Sequence, residues 1–319
     1  MSTATRQVRI ARTSVEAVDI RSFELVAEDG VALAPFAAGS HIDVHVGGFV
    51  RQYSLCNDPQ ERHRYLIAVL KDAKSRGGST AMHALEAGQS LTISDPKNHF
   101  GLAHDARHSI LFAGGIGITP ILCMAERLAA VDAPFALHYC SRSADRAAFT
   151  QRIRNSSFGV RVAFHFDDGP EAQKLRAAEA IDTPQEGTHL YVCGPTGFMD
   201  RILGTARERG WPEARLHREY FAAAPVDTTN DGSFEVQIAS SGAVIRVAPD
   251  QTVLAALSSA GIHVPMSCEQ GVCGTCLTRV IDGTPEHRDM YLTPDEQAKG
   301  DCFTPCCSRA KSARLVLDL

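Results

Sequence analysis

Through residues 1–103 hydrophobic and polar positions alternate with a period of two, as in Gln7-Val8-Arg9-Ile10, Arg21-Ser22-Phe23-Glu24-Leu25, His41-Ile42-Asp43-Val44-His45-Val46 and Arg51-Gln52-Tyr53-Ser54-Leu55. Alternation broken by glycine and proline turns predicts antiparallel strands closed into a small β-barrel. On the last of these strands Arg51, Tyr53 and Leu55 share one face, Gln52 and Ser54 the other. From 104 to 226 the pattern changes. Residues 109–113 and 135–139 are continuous apolar runs on either side of a helical stretch, 120–130, which predicts a parallel, doubly wound α/β sheet covered on both faces. Residues 189–193 run from strand into helix again, and 216–221 read as a further strand. A polar, turn-rich segment at 227–233 predicts a linker. Beyond it, residues 234–238 and 243–247 predict a hairpin, followed by a helix at 252–260 that Gly261 ends, giving a third, α+β domain over 234–319.

Length and charge bound the partners. The 319 residues exceed one ordinary core and suit two or three domains. A net charge of -5 with mixed signs and no Lys/Arg run speaks against a nucleic-acid surface and for small-molecule and protein partners. The longest uncharged run, 109–125, is too short for a membrane span and is cut by Gly114-Gly115-Ile116-Gly117 and Pro120. The ten cysteines gather toward the C-terminal end, and no apolar segment opens the chain. Both features predict a cytoplasmic protein with no disulfides. Six acidic and two basic residues fall between 282 and 301; they read equally as a docking face for a cationic partner or as a solvated loop and helix.

Candidate chemistry concentrates in Cys268-Glu269-Gln270-Gly271-Val272-Cys273-Gly274-Thr275-Cys276. The spacing C-x4-C-x2-C with a distant fourth cysteine is that of plant-type [2Fe-2S] ferredoxins, whereas structural zinc is usually held by two C-x2-4-C pairs. Gly271 and Gly274 let the backbone curl until its N–H groups face sulfur. The fourth ligand must be Cys302, Cys306 or Cys307, the later cysteines of the chain. Pro305-Cys306-Cys307-Ser308-Arg309-Ala310 resembles the ferredoxin ending, which implies Cys306; Cys307 beside it departs from that pattern.

Three further stretches have both plain and chemical readings. Arg51-Gln52-Tyr53-Ser54-Leu55 reads as an ordinary barrel strand, yet it resembles the flavin motif of the ferredoxin-NADP reductase superfamily. That likeness implies Arg51 on a flavin phosphate, Tyr53 packed on the flavin, and Ser54 bonding near N5. Ser75-Arg76-Gly77-Gly78-Ser79-Thr80 reads as a capped loop or as an anion nest for that phosphate. Gly114-Gly115-Ile116-Gly117-Ile118-Thr119-Pro120 follows a strand and opens a helix, with Thr119 as expected N-cap and Pro120 at the first helical position. It lacks the G-x-G-x-x-G fingerprint but resembles the superfamily's Gly-Gly-x-Gly-x-Thr-Pro turn, a place for a pyrophosphate. Cys193-Gly194-Pro195 reads as a strand end with a buried thiol; in the superfamily such a turn lies beside the nicotinamide. By the same resemblance Glu219 and Phe221 flank nicotinamide and flavin, and Pro96-Lys97-Asn98-His99-Phe100 lines the flavin. No loop suited to wrapping an adenosine is evident, so FMN is expected rather than FAD. Ser141-Arg142-Ser143 suits a 2'-phosphate, but Asp145 intervenes before the next cation, Arg146.

The order flavin barrel, nucleotide domain, C-terminal ferredoxin of the β-grasp type resembles the phthalate dioxygenase reductase family over nearly the whole chain. The resemblance implies NADH, FMN and a [2Fe-2S] cluster in one polypeptide. Paired electrons would enter at Cys193, Glu219 and Ser54 and leave singly to a separate terminal oxygenase acting on an aromatic compound. No C-x-H pair for a Rieske centre occurs, so oxygen activation is expected on another chain. A reductase for a diiron monooxygenase or a cytochrome P450 is the rival within the enzyme class, and the domain order speaks against it. An electron-carrier module without NADH oxidation is the rival outside it. A monomer is expected.

Overall fold

The computed structural model describes residues 5–73, 75, 77–221, 228–229 and 231–319. Arg76 of the expected phosphate nest lies outside the described residues, as do 227 and 230 of the expected linker. The chain divides into two compact units, residues 1–219 and 220–319.

In the first unit β1 (Thr5–Ala17), β2 (Ile20–Ala27), β3 (Ser40–Val46), β4 (Phe49–Ser54), β5 (Tyr65–Leu70) and β6 (Ser90–Ser94) pair antiparallel in the order β4-β3-β6-β1-β2-β5, with the short β7 (Lys97–Asn98) on β3. Leu55, one residue past β4, bridges to Ile67 of β5 and so joins the two ends of the sheet. The period-two positions point inward: Val8, Ile10, Phe23, Leu25, Ile42, Val44, Leu55 and Ile67 form the barrel's core, each such side chain contributing about 1.5–3 kcal/mol by leaving water. A short helix, α1 (Gly78–His83), follows β5.

The second half of this unit is a parallel sheet of β8 (His108–Gly114), β9 (Phe135–Ser141), β10 (Val162–Phe166), β11 (Thr188–Cys193) and β12 (Leu216–Glu219), in the order β10-β9-β8-β11-β12. Helices α2 (Ile118–Ala130), α3 (Thr150–Arg154), α4 (Ala177–Ala180) and α5 (Thr196–Glu208) connect it. The strand order reverses direction between β8 and β11, and at such a switch point the carboxyl ends of the strands open a crevice for ligands. Barrel and sheet share one core, in which Ile20, Cys56, Leu66 and Phe100 pack with Leu111, Leu122 and Tyr191.

Two expectations change here. The helix after β8 opens at Ile118 with Gly117 as its N-cap, because a 3-10 turn over Gly115–Gly117 leads straight into it. Thr119 therefore sits inside the first turn rather than at the cap, its hydroxyl donating to the Ile116 carbonyl at 3.1 Å. The last strand of the sheet stops at Glu219, short of Phe221.

In the second unit β13 (Phe234–Ile238) and β14 (Val244–Val247) form the expected hairpin, and α6 (Val253–Ser259) follows, with the Thr252 side chain accepting from the Ala255 amide. β15 (Thr278–Asp282), β16 (Pro285–Glu286), helix α7 (Pro294–Lys299), β17 (Cys302–Phe303), β18 (Arg309–Ala310) and β19 (Arg314–Leu317) complete it. First and last strands lie parallel in the middle of the sheet β14-β13-β19-β15-β17. Phe234, Val236, Val253, Leu257, Phe303, Leu315 and Leu317 fill the core beneath. Asp231 is clamped by Arg288, whose Nη1 lies 2.8 Å away, and by Arg309 at 3.4 Å, all three side chains being no more than 10% exposed. Among the described residues no helix is long and apolar enough to cross a membrane.

Candidate functional site

The carboxyl ends of β8, β11 and β12 bring the first group together. Cys193 registers with Ala113 on one side and Glu219 on the other. The two turns that leave β8 and β11 touch backbone to backbone: a Cβ on Gly117 would lie 2.3 Å from the Cys193 carbonyl oxygen, and one on Gly194 would lie 2.9 Å from the Gly114 Cα. Gly114 has no more room, since the Phe198 ring and Pro195 sit 2.8 and 3.0 Å from where its Cβ would be. Gly115, with φ at 53°, faces open space, so a ligand can approach the bare backbone there.

Ser54 joins this group from the barrel. It is 5% exposed, and its hydroxyl donates to Glu219 Oε2 at 3.4 Å, which unites residues 165 positions apart. Burial pushes the Glu219 carboxyl up to about 8 against the opposing pull of the Ser54 hydrogen bond. Burial also drives the Cys193 thiol well above its usual range, the Glu219 charge adding to it. Glu219 is thus a proton-holding carboxyl near neutral pH, and Cys193 is a thiol rather than a nucleophilic thiolate.

On the other face of β4, the Arg51 guanidinium stacks over the Phe49 ring at 5.0 Å and donates to the Val50 carbonyl at 2.8 Å. Gly77 and Gly78 rest directly on these two side chains: a Cβ on Gly77 would meet the Phe49 ring at 2.5 Å, one on Gly78 the Arg51 stem at 2.7 Å. Ser79 is engaged within the loop through Ser75 at 2.9 Å, and Thr80 is exposed. Tyr53 is half-buried on the barrel side, burial raising its phenol to about 12. Phe221 belongs to the second unit and is 41% exposed. After β9, the Ser143 hydroxyl donates to Asp145, and Arg146 pairs with Asp19 at 3.7 Å. The Ser143 hydroxyl and Arg146 are therefore already engaged, whereas Arg142 is exposed.

Two contributors escaped the sequence reading. Phe49, just before the Arg51 motif, is the ring on which both arginine and glycine turn are built. His41 faces Ser54 across β3 and β4, is 4% exposed, and keeps its Nε2 buried without a protein partner. Burial lowers its imidazole to about 4, so it is neutral. A histidine on a predicted strand carries no sign of which cross-strand neighbour it will meet.

The second group is the cysteine loop. The thiols act on one another electrostatically, Cys268 with Cys273 and Cys306, and Cys276 with Cys306, which pulls Cys268 and Cys276 down while Cys273 and Cys306 are pushed up. The amides of Gln270 and Thr275 point at the sulfurs of Cys268 and Cys273, at 3.4 and 3.5 Å. Gly271 and Gly274 have φ near 70°, and neither has space for a side chain: their Cβ atoms would fall 2.3 Å from Cys307 Sγ and 2.2 Å from the Tyr291 ring. Cys302 stands on β17, where burial and the neighbouring Asp301 raise its thiol. All ten cysteines are free thiols. Among the described residues no group of three or more His, Cys, Asp or Glu encloses a single metal ion, whereas a binuclear cluster distributes its thiolates over two irons. Four converging thiols with amides aimed at sulfur are a donor set suited to that cluster.

Residues 236–311 match the 2Fe-2S iron-sulfur cluster binding domain family. The vanillate O-demethylase oxidoreductase of Pseudomonas sp. (strain HR199 / DSM 7063) is 58% identical over 315 residues, covering 98% of this chain and 99% of that protein. The crystal structure of phthalate dioxygenase reductase, described as a modular structure for electron transfer from pyridine nucleotides to [2Fe-2S], matches with a TM-score of 0.78 and 38% identity over 99% of this chain and 98% of that one. An intact type IV self-sufficient cytochrome P450 monooxygenase matches with a TM-score of 0.86 and 38% identity, covering 99% of this chain but 41% of that one. The same module thus occurs within a P450 polypeptide, and domain order does not separate the oxygenase classes as the sequence reading had it. With relatives this similar over almost its full length, the chain belongs to the phthalate dioxygenase reductase family.

Proposed function

We propose that this protein is the reductase component of a multicomponent aromatic oxygenase or O-demethylase, taking a hydride from NADH and delivering single electrons to a separate terminal oxygenase. The observation that carries the reading is the convergence of Ser54, Cys193 and Glu219 at the switch point of the parallel sheet, in a chain whose other unit gathers four thiols around an amide-lined loop. Bound FMN supplies the exchange between two-electron and one-electron chemistry, and a bound [2Fe-2S] cluster supplies the one-electron carrier.

The residues divide the work. Arg51, backed by Phe49 and the Gly77-Gly78 turn, offers a fixed cation to the flavin phosphate. Tyr53 lends its ring to the flavin, and the buried Nε2 of His41 accommodates one further polar contact. Gly115 and Gly117 hold a bare backbone turn against which the pyrophosphate of the nucleotide lies. Cys193 and Gly194 border the nicotinamide, and Glu219, protonated near neutral pH, donates a hydrogen bond without adding charge. Ser143 engaged by Asp145 and Arg146 paired with Asp19 leave Arg142 as the remaining cation of 141–146, which favours NADH over a nucleotide bearing a 2'-phosphate. Cys268, Cys273, Cys276 and Cys306 ligate the cluster, and the amides of Gln270 and Thr275 stabilise thiolate sulfur.

Anaerobic titration of the purified protein with NADH tests this reading. The expected result is loss of the flavin band followed by bleaching of the cluster absorption, with NADPH far less effective. A protein that binds no flavin after reconstitution, or whose cluster is indifferent to NADH, overturns it. The acceptor is tested by adding the terminal oxygenase of a vanillate O-demethylase and following demethylation of a methoxylated aromatic acid.

A further inference from the structure

The loop 268–276 and the turn that carries Cys306 meet at a fifth thiol. Cys307 Sγ occupies the place where a side chain on Gly271 would begin, 2.3 Å from the position of its Cβ. Thr304 Oγ1 lies 3.2 Å from its sulfur and Ser308 Oγ 3.8 Å. The turn is held from both ends: the Cys307 and Ser308 amides donate to the Thr304 carbonyl at 3.2 and 3.0 Å, and the Leu254 amide donates to the Pro305 carbonyl at 2.9 Å. The Ser308 hydroxyl is tied further to the buried Asp289, whose other oxygen caps the Leu292 amide. Gly271 itself is fixed by the Met290 amide on its carbonyl. Cys307 is therefore part of the wall of the cysteine cradle, on a backbone that is anchored around it.

Resting on the cluster reading above, we propose that Cys307 is a standby ligand that replaces Cys306 at the iron without rebuilding the loop. Cys307 follows Cys306 directly, their Cα atoms about 3.8 Å apart, and rotation about its Cα–Cβ bond re-aims its sulfur within the cradle. In the exchange one iron–sulfur bond to Cys306 breaks and one to Cys307 forms. The proton leaving the Cys307 thiol passes to the Cys306 thiolate, its neighbour in the chain, and the iron keeps its oxidation state. The same argument does not extend to Cys302, which lies on β17 paired with Arg279 rather than on the turn that carries Cys306. Gly271 gains a second role: besides its positive φ, it vacates the volume that this sulfur needs.

The test reconstitutes full-length wild type, Cys306→Ser, Cys307→Ser and the double variant with iron and sulfide under anaerobic conditions. Iron and acid-labile sulfide are then measured, and spectra of the dithionite-reduced proteins are recorded by electron paramagnetic resonance. Wild type and C307S should carry the full complement with the same spectrum. C306S should retain at least about half of the wild-type iron with a displaced spectrum, and the double variant less than about a tenth. C306S as empty as the double variant overturns the proposal. So does C306S with an unchanged spectrum alongside an empty C307S, since Cys307 would then be the ordinary ligand. If C306S does not accumulate as soluble protein, Cys306→Ala gives the same comparison. Wild type that takes up no iron refutes the cluster reading itself, an outcome distinct from both.

Discussion

The two candidate sites are built in opposite ways. The cysteine cradle draws three of its four thiols from nine consecutive residues, 268–276, shaped by Gly271 and Gly274 and closed by one distant turn. The crevice at Ser54, Cys193 and Glu219 has no two members near each other in sequence, and exists because a barrel strand and a parallel sheet share a core. A local site inherits its geometry from backbone conformation, so glycine and spacing specify it. A distributed site inherits its geometry from packing, so it depends on groups that touch no ligand.

That contrast is broken most severely by removing a thiol. Cys276→Ser should reduce bound iron to less than about a tenth of wild type, as measured by iron and sulfide analysis, while NADH still bleaches the flavin. Loss of both responses together would mean that the two sites are not separable. Next in size, Asp231→Asn leaves Arg309 buried without its carboxylate and Arg288 with Glu286 alone, and should destabilise the second unit by about 3 kcal/mol in urea unfolding followed at the cluster absorption.

Gly117→Ala sharpens the distributed side. Gly117 has φ at -62°, which alanine adopts freely, but the new Cβ would lie 2.3 Å from the Cys193 carbonyl. The turns at β8 and β11 must separate, at a cost of about 1–3 kcal/mol and roughly a tenfold or greater loss in kcat/KM for NADH, with iron content unchanged. Unaltered kinetics would show that contact of the two turns is not needed for the reaction.

The smallest effect is a pH dependence. Folded Glu219 holds its proton up to about pH 8, whereas the carboxyl in the unfolded chain releases it near 4.5. The folded state therefore binds the extra proton between those values, so stability is greatest below pH 4.5 and declines as pH rises through 8. Glu219→Gln removes this loss. The variant should match wild type near pH 4.5 and exceed it by about 1–3 kcal/mol at pH 8.5 in chemical unfolding. The upper bend of the wild-type profile of kcat/KM for NADH should also disappear. A stability difference independent of pH would refute a buried, protonated carboxyl.

How much of this was legible beforehand follows the same division. The cysteine spacing and both loop glycines stood in plain view, as did the period-two barrel and the apolar parallel strands. Arg51 was visible as part of a motif, whereas Phe49, which supports it, looked like any strand residue. Thr119 and Pro120 suggested a helix start that the 3-10 turn at Gly115–Gly117 shifts to Ile118, because backbone hydrogen bonding there continues without a break. His41 gave no signal, since its neighbour Ser54 is set by strand register.

By itself, then, the sequence determined the elements and the local loop, because alternation, glycine conformation and cysteine spacing act over a few residues. The folding of distant segments onto one another brings Ser54 to Glu219, Gly117 against Cys193, and Cys307 into the space beside Gly271. Those contacts arise from strand register and close packing between distant segments, and no single stretch of chain contains that information.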